Sequence, residues 1–327
     1  MSKPKVAFLL SGGCGGCDMS IVDLSDSLVD VLSQLDIVFW APTVTDLKYK
    51  DLEAIPDKSI DIGLHSGCIR LSENEHTAKL MRDKCKVLIA YGVCASLGGI
   101  QGLANMHTRE ELLDTAYKNS PSTDNPEGIL PQTTCLVDGK YELTLPEFYP
   151  HIRTLDQVVE VDYYLGGCPP HYNHVAAAVT AILTGNLPAP GSWITSGKAV
   201  CDECKRNPGA TGRERKLISE VKRTIDGSPS EDGCLLEEGY LCLGAMSQGD
   251  CGGSCPRVNI PCRGCGGPIP GVKDFGMRAI SACAALFDKD ELVDQVPSPT
   301  KLFYRYSLPG SILGRKTGGF NSCKKLK

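Results

Sequence analysis

Cys14, Cys17, Cys94 and Cys168 each lie just beyond a short apolar run, in loops rich in glycine or proline. Cys201, Cys204, Cys234, Cys242, Cys251, Cys255, Cys262 and Cys265 crowd a later, loop-rich stretch. Four residues and eight residues make three sets of four, and thiolates in sets of four bind iron–sulfur clusters or structural zinc. With 17 cysteines in 327 residues the count is odd, which argues against a plain disulfide framework. Residues 1–5 and the short strand after them lack the apolar stretch and cleavage site of a secretory signal, and no twin-arginine run is present. The expected compartment is the cytoplasm, where dense cysteines serve metal or redox chemistry.

The local contexts sharpen this. Cys14-Gly15-Gly16-Cys17 is a C-x2-C whose glycines allow a tight turn around a bulky inorganic group. Zinc sites and thioredoxin-like redox pairs share that spacing. Cys94 stands in Tyr91-Gly92-Val93-Cys94-Ala95-Ser96-Leu97-Gly98-Gly99, and Cys168 in Gly167-Cys168-Pro169-Pro170. Ligands drawn from strand ends so far apart favour a cluster over zinc, whose structural sites are usually local knuckles. The later eight read as Cys201-x2-Cys204, Cys234, Cys242, Cys251-x3-Cys255 and Cys262-x2-Cys265. On spacing alone, two zinc ribbons remain an alternative for them.

The elements that must position these loops alternate. Strands are predicted over residues 6–10, 37–40, 60–64, 86–90 and 158–163. A helix is expected where Ile21, Leu24, Leu28, Val31, Leu32 and Leu35 recur every three or four residues, with others over 73–84 and 175–183. Such alternation implies a parallel sheet with right-handed crossovers, and ligands of these sheets sit beyond the C-terminal strand ends. The loops carrying Cys14, Cys17, Cys94 and Cys168 are therefore expected to meet on one edge. The fold class is α/β: a flavodoxin-like parallel-sheet domain over 1–193, then an irregular iron–sulfur domain over 194–327, with the boundary at Pro188-Ala189-Pro190-Gly191. In the second part, helices are expected at 215–225 and 275–286, metal ligation substitutes for packing up to about Gly271, and the Lys-rich tail frays.

Composition excludes other classes. Hydrophobic residues make up 42%, enough for a real core, and the net charge of −5 comes with no basic stripe for a nucleic-acid backbone. The longest apolar run, 175–183, is too short to cross a bilayer. There is no G-x4-G-K-[ST] loop for nucleotide phosphates.

The C-x2-C after the first strand, the G-x-C-x3-G-G around Cys94 and the G-C-P-P at Cys168 together resemble the small, electron-transfer subunit of [NiFe]-hydrogenases. The eight later cysteines, with Ile260-Pro261-Cys262-Arg263-Gly264-Cys265-Gly266-Gly267-Pro268, are similar to that family's cluster domain, so the resemblance covers nearly the whole chain. Within the family the chain looks most like the cytoplasmic, methyl-viologen-reducing type. The resemblance implies three [4Fe–4S] clusters: a proximal one on Cys14, Cys17, Cys94 and Cys168, a medial one on Cys251, Cys255, Cys262 and Cys265, and a distal one on Cys201, Cys204, Cys234 and Cys242. It also implies a nickel–iron large subunit docked at the strand-end edge, where hydrogen is cleaved (H2 ⇌ 2 H⁺ + 2 e⁻), and a downstream acceptor of the heterodisulfide-reductase or flavin-bifurcating type. An NAD(P)- or ferredoxin-linked hydrogenase is an alternative, as is a zinc scaffold. The quinone-reducing subunit of respiratory complex I shares two motifs but has adjacent cysteines in place of C-x2-C.

The chain departs from the periplasmic branch, which has histidine where Cys201 stands and one medial cysteine fewer; full thiolate ligation keeps potentials low. It departs again at His65-Ser66-Gly67-Cys68, where Ser66 replaces the family's acid and Cys68 is expected as a buried free thiol beside the proximal site. Cys85, Cys135, Cys283 and Cys323 read as ordinary thiols, and His107, His151, His171 and His174 as non-ligands.

Overall fold

A computed structural model describes residues 3–41 and 43–317. Cys323 and the Lys-rich tail lie outside the described residues. Six strands form one parallel sheet: β1 (Lys5–Leu10), β2 (Asp36–Ala41), β3 (Ile60–Ser66), β4 (Cys85–Tyr91), β5 (Tyr163–Leu165) and β6 (Ser192–Trp193). Their order is β6-β5-β4-β3-β1-β2, with every neighbouring pair parallel. The chain leaves β1 to one side for β2 and returns on the other for β3, the switch that opens a crevice at the strand ends.

Strand β1 shows why the sheet is buried on both faces. Side chains alternate along a strand, so Ala7 and Leu9 join Phe39, Leu52, Ile60, Met81 and Leu88 in one core. Val6 and Phe8 join Trp40, Ile62, Ile89, Tyr91 and Val175 in the other. Helices cover these faces: α1 (Gly16–Val22), α2 (Ser27–Gln34), α3 (Ser72–Lys84), α4 (Val93–Leu97) and α5 (Tyr172–Thr184). Helix α3 carries Glu73 and Glu75 in its first turn and Arg82 and Lys84 in its last, matching the helix dipole.

Three elements differ from the sequence expectation. The single helix expected through 21–35 is two, broken at Asp23-Leu24-Ser25-Asp26. Ser25 sits at φ 51, and the amides of Leu24, Ser25 and Ser27 fold onto carbonyls three residues back. Asp and Ser compete for backbone partners and interrupt helices. The strand expected at 158–163 is confined to β5. Asp162 Oδ2 accepts from the Leu88 amide at 2.7 Å and from Arg82 at 2.6 Å. A side chain thus takes the ladder partner that a longer strand would have supplied. The helix expected at 215–225 is extended chain: Ile218 is fully buried and bridges Phe287, while Leu217 and Ile225 are exposed, so no helical stripe exists.

Among the described residues after β6, none adds a further strand to this sheet. Helix α6 (Phe275–Ala284), capped by Asp274 Oδ1 on the Met277 amide, ends two residues before the expected limit. It anchors a core with Ile218, Leu236, Leu241, Leu243, Phe303 and Tyr304. The later stretch therefore has apolar support that its loop-rich composition concealed. The two parts touch closely: the Gly167 amide donates to the Cys265 carbonyl at 3.0 Å. A Cβ on Gly166 would fall 1.9 Å from the Gly266 carbonyl oxygen, a contact only glycine permits. Among the described residues no helix is long and apolar enough to cross a membrane.

Candidate metal centres

The C-terminal ends of β1, β4 and β5 deliver Cys14 and Cys17, Cys94, and Cys168 to one cavity of about 70 Å³. Its remaining walls come from Leu10, Gly13, Gly15, Gly16, Gly67, Gly167 and Pro169. Gly92, at φ +83, makes the approach possible: a Cβ there would stand 2.5 Å from the Cys17 sulfur. Burial, then the neighbouring Cys68 and Cys168, pushes the Cys94 thiol up to about 12. Burial and the charges of Cys94, Cys14 and Cys168 raise Cys17 as well. The four thiols sense one another across the cavity.

Cys201, Cys204, Cys234 and Cys242 line a second cavity of about 30 Å³ together with Arg206, Arg215 and Asn207. Burial and the charges of Cys234 and Cys204 push Cys201 up to about 12. Cys251, Cys255, Cys262 and Cys265 form a third group. Cys265 is raised to about 12 by burial and then by Cys262, Cys255, Cys251 and Cys168. The groups adjoin in a row. The Gly167 amide, next to Cys168 of the first set, donates to the Cys265 carbonyl at 3.0 Å, and the Cys262 amide donates to the Cys242 sulfur at 3.2 Å. Among the described residues no three His, Cys, Asp or Glu groups converge as ligands of a single metal ion.

The first set thus shares one cavity and the second another, while the third is spread over the loops between them. Cys68 lies at the edge of the first cavity, buried, with its Sγ donating to the Gly12 carbonyl at 3.1 Å. Ser66 is buried and brings no charge. Cys85 and Cys283 are core residues, and Cys135 is exposed. His174 bonds the Gly249 carbonyl at 2.7 Å, and His171 meets Ser254 at 3.4 Å. His107 pairs with Glu111 at 3.7 Å.

Sequence reasoning missed three neighbours of the thiols. Gln101 Oε1 accepts from Cys94 at 3.3 Å, and nothing in its sequence context marks it. Asp18, buried beside Cys17, accepts from the Trp40 indole at 2.8 Å. Arg206 is buried at the second cavity, and its place two residues after the Cys201-x2-Cys204 pair was the available signal.

A family model for the NADH ubiquinone oxidoreductase 20 Kd subunit matches residues 14–182, from the first cavity cysteine to the later turns of α5. That match ends before the eight later cysteines. The iron-sulfur subunit of the F420-non-reducing hydrogenase of Archaeoglobus profundus is 59% identical over 316 residues, covering 95% of this chain and 98% of that protein. The chain belongs to this family of F420-non-reducing hydrogenase subunits. A relative from the vhu form of the F420-non-reducing hydrogenase in Methanocaldococcus jannaschii is 36% identical over 312 residues, covering 95% and 97%. Among solved structures, the recombinant [NiFeSe] hydrogenase from Desulfovibrio vulgaris Hildenborough matches with a TM-score of 0.50 at 17% identity, over 88% of this chain and 99% of that one, which shows a shared fold. The protein is a hydrogenase small subunit and so belongs to the oxidoreductases. Relatives that span the later cysteines count against the respiratory reading, which would leave that stretch without a counterpart.

Proposed function

We propose that this chain relays electrons from a nickel–iron large subunit to a partner of the heterodisulfide-reductase or other flavin-bifurcating type, through three [4Fe–4S] clusters. Cys14, Cys17, Cys94 and Cys168 hold the proximal one, Cys251, Cys255, Cys262 and Cys265 the medial one, and Cys201, Cys204, Cys234 and Cys242 the distal one. What supports the reading is that the loops of the three sets meet, through the Gly167 amide on the Cys265 carbonyl and the Cys262 amide on the Cys242 sulfur. The work divides between a proximal unit over 1–193 and a two-cluster unit over 194–327, in the cytoplasm.

The donor sets fit the group. In each set at least two thiols are raised by burial and by neighbouring thiols, Cys201 and Cys242 in the second, so four thiolates need a cationic centre among them; loading a site releases the protons these thiols hold. When bound, such a cluster takes up and passes on one electron at a time. The chain's own residues hold the sulfurs of the first set on walls of glycine, proline and leucine, and bring the loops of neighbouring sets into contact. The strand-end edge with Cys14 and Cys94 is where the large subunit docks.

The deciding experiment measures iron, zinc and acid-labile sulfide per chain in complex purified anaerobically. About twelve irons with matching sulfide are expected, the sum for three four-iron cubanes. Zinc without iron would sink the reading, and about four irons with zinc would confine redox function to the sheet domain.

A further inference from the structure

The three thiol sets differ in the fixed charges around them. Beside Cys17 in the proximal set stands Asp18, only 6% exposed, with one carboxylate oxygen accepting from the Trp40 indole and the other without a hydrogen-bond partner. The walls of the proximal cavity are glycine, proline, leucine and the four cysteines; the buried guanidinium of Arg70 stands behind Cys68, with its charge over the Phe148 ring at 4.2 Å, outside those walls. Arg263 sits between two medial cysteines, with Nη1 donating to the Leu241 carbonyl at 3.2 Å. The distal cavity is lined by Arg206 and Arg215.

Arg206 is unusual in its partners. It is 8% exposed, yet the groups it donates to are neutral oxygens: Pro256 O at 3.0 Å from Nε, Ser230 O at 2.6 Å and Gly233 O at 3.0 Å from Nη1, and Asn259 Oδ1 from Nη2. Among the described residues it forms no ion pair. A buried cation that hydrogen bonds satisfy but no anion neutralises is costly unless negative charge is nearby. Guanidinium stays charged under all accessible conditions, so this charge is permanent. The anionic groups its cavity offers are the four distal thiolates.

We infer that Asp18, Arg206 and Arg215 grade the potentials along the row, making the proximal site the hardest of the three to reduce and the distal site the easiest. The inference rests on the cluster reading above. Reduction adds one negative charge to a site; a buried carboxylate opposes that charge and a buried guanidinium favours it, both strongly in a low-dielectric interior. The gradient points electrons away from the hydrogen-facing edge and toward the distal exit. Arg206 and Asp18 act through the thiolates they adjoin and are positioning residues.

The test is an EPR-monitored redox titration of the whole complex, with signals assigned by the Cys17→Ser and Cys242→Ser variants. Arg206→Gln, which removes charge, is expected to move the distal midpoint to a more negative potential, while Arg206→Lys, which keeps it, leaves that midpoint near the wild-type value. Asp18→Asn moves the proximal midpoint to a more positive potential and leaves the distal one unmoved. An unchanged distal midpoint in Arg206→Gln, or an equal shift in Arg206→Lys, overturns the inference. Should Arg206→Gln lose the distal signal altogether, Arg215→Gln decides, since that side chain is exposed: a smaller negative shift supports the gradient, and no shift overturns it. Wild-type complex lacking a distal signal is a different result, and it defeats the cluster reading itself.

Discussion

Cys14, Cys17, Cys94 and Cys168 come from loops spread over half the chain, and strands of one parallel sheet carry them to a common cavity. Cys201, Cys204, Cys234 and Cys242 come from one short stretch, and no strand of that sheet holds them. The first cavity is shaped by a core that exists whether or not iron is present: Ala7, Leu9, Ile60 and Leu88 are buried to within about 1% on one face of the sheet. The second rests on Leu236, Leu241 and Leu243 packed against α6, with much of residues 205–233 irregular and exposed. A site on a rigid sheet edge is preorganised; a site on loops depends on its metal for order. The difference teaches that one chain can carry a thiol site shaped by its core and another that a bound group would complete.

The largest way to break this contrast is to remove the iron. Hydrogen exchange of the iron-free chain should lose protection across 194–271 while β1, β3 and β4 remain slow. Equal protection in both parts would show the distal site to be as preformed as the proximal one. Next in size, Cys17→Ser should cut hydrogen-dependent viologen reduction by the native complex at least about tenfold, since losing a ligand costs no less than losing its outer partner. Cys234→Ser should leave sheet protection intact, and retained viologen activity in Cys17→Ser would remove the proximal assignment.

A sharper probe is the seam between the parts. Gly166→Ala forces a Cβ against the Gly266 carbonyl, and overpacking of this kind costs about 2 kcal/mol. Denaturation of the complex should show that loss, together with an altered medial signal and an unaltered distal one. At neutral pH the smallest effect is the titration of a buried thiol in the sheet part, which shows only in alkali. Burial raises the Cys85 thiol from 9.0 to about 12, so the unfolded chain releases its proton first. The share of the iron-free protein's stability that depends on this buried thiol should be full below pH 9.0 and fade as pH climbs toward about 12. Cys85→Ala should make the decline in urea midpoints shallower, the remainder coming from Cys94, Cys201 and Cys265, which burial also raises.

Legibility followed the kind of force at work. The strands β1, β2, β3 and β4 were readable because short apolar runs between glycine and charge have one good solution in a parallel sheet. The convergence of the first cysteine set followed from that topology. The break at Ser25 was not readable from periodicity, because the apolar spacing continues across it while the backbone turns at residues with local hydrogen-bonding alternatives. Nor was the start of β5: only the fold brings Asp162 to the Leu88 amide. Ile218 shows the reverse case, a residue read into a helix that a distant strand-like contact with Phe287 holds extended.

By itself the sequence determined the alternation of strands and helices, the number and spacing of the thiols, and so the class of chemistry, because those depend on local pattern and residue type. Tertiary structure alone decided that the loops of the three cysteine groups meet, that Gly166 and Cys265 close the seam between the two parts, and that Asp18 is buried beside Cys17 while Arg206 lines the cavity of Cys201. Charge and contact act through space, and residues far apart along the chain acquire them only when the chain is folded.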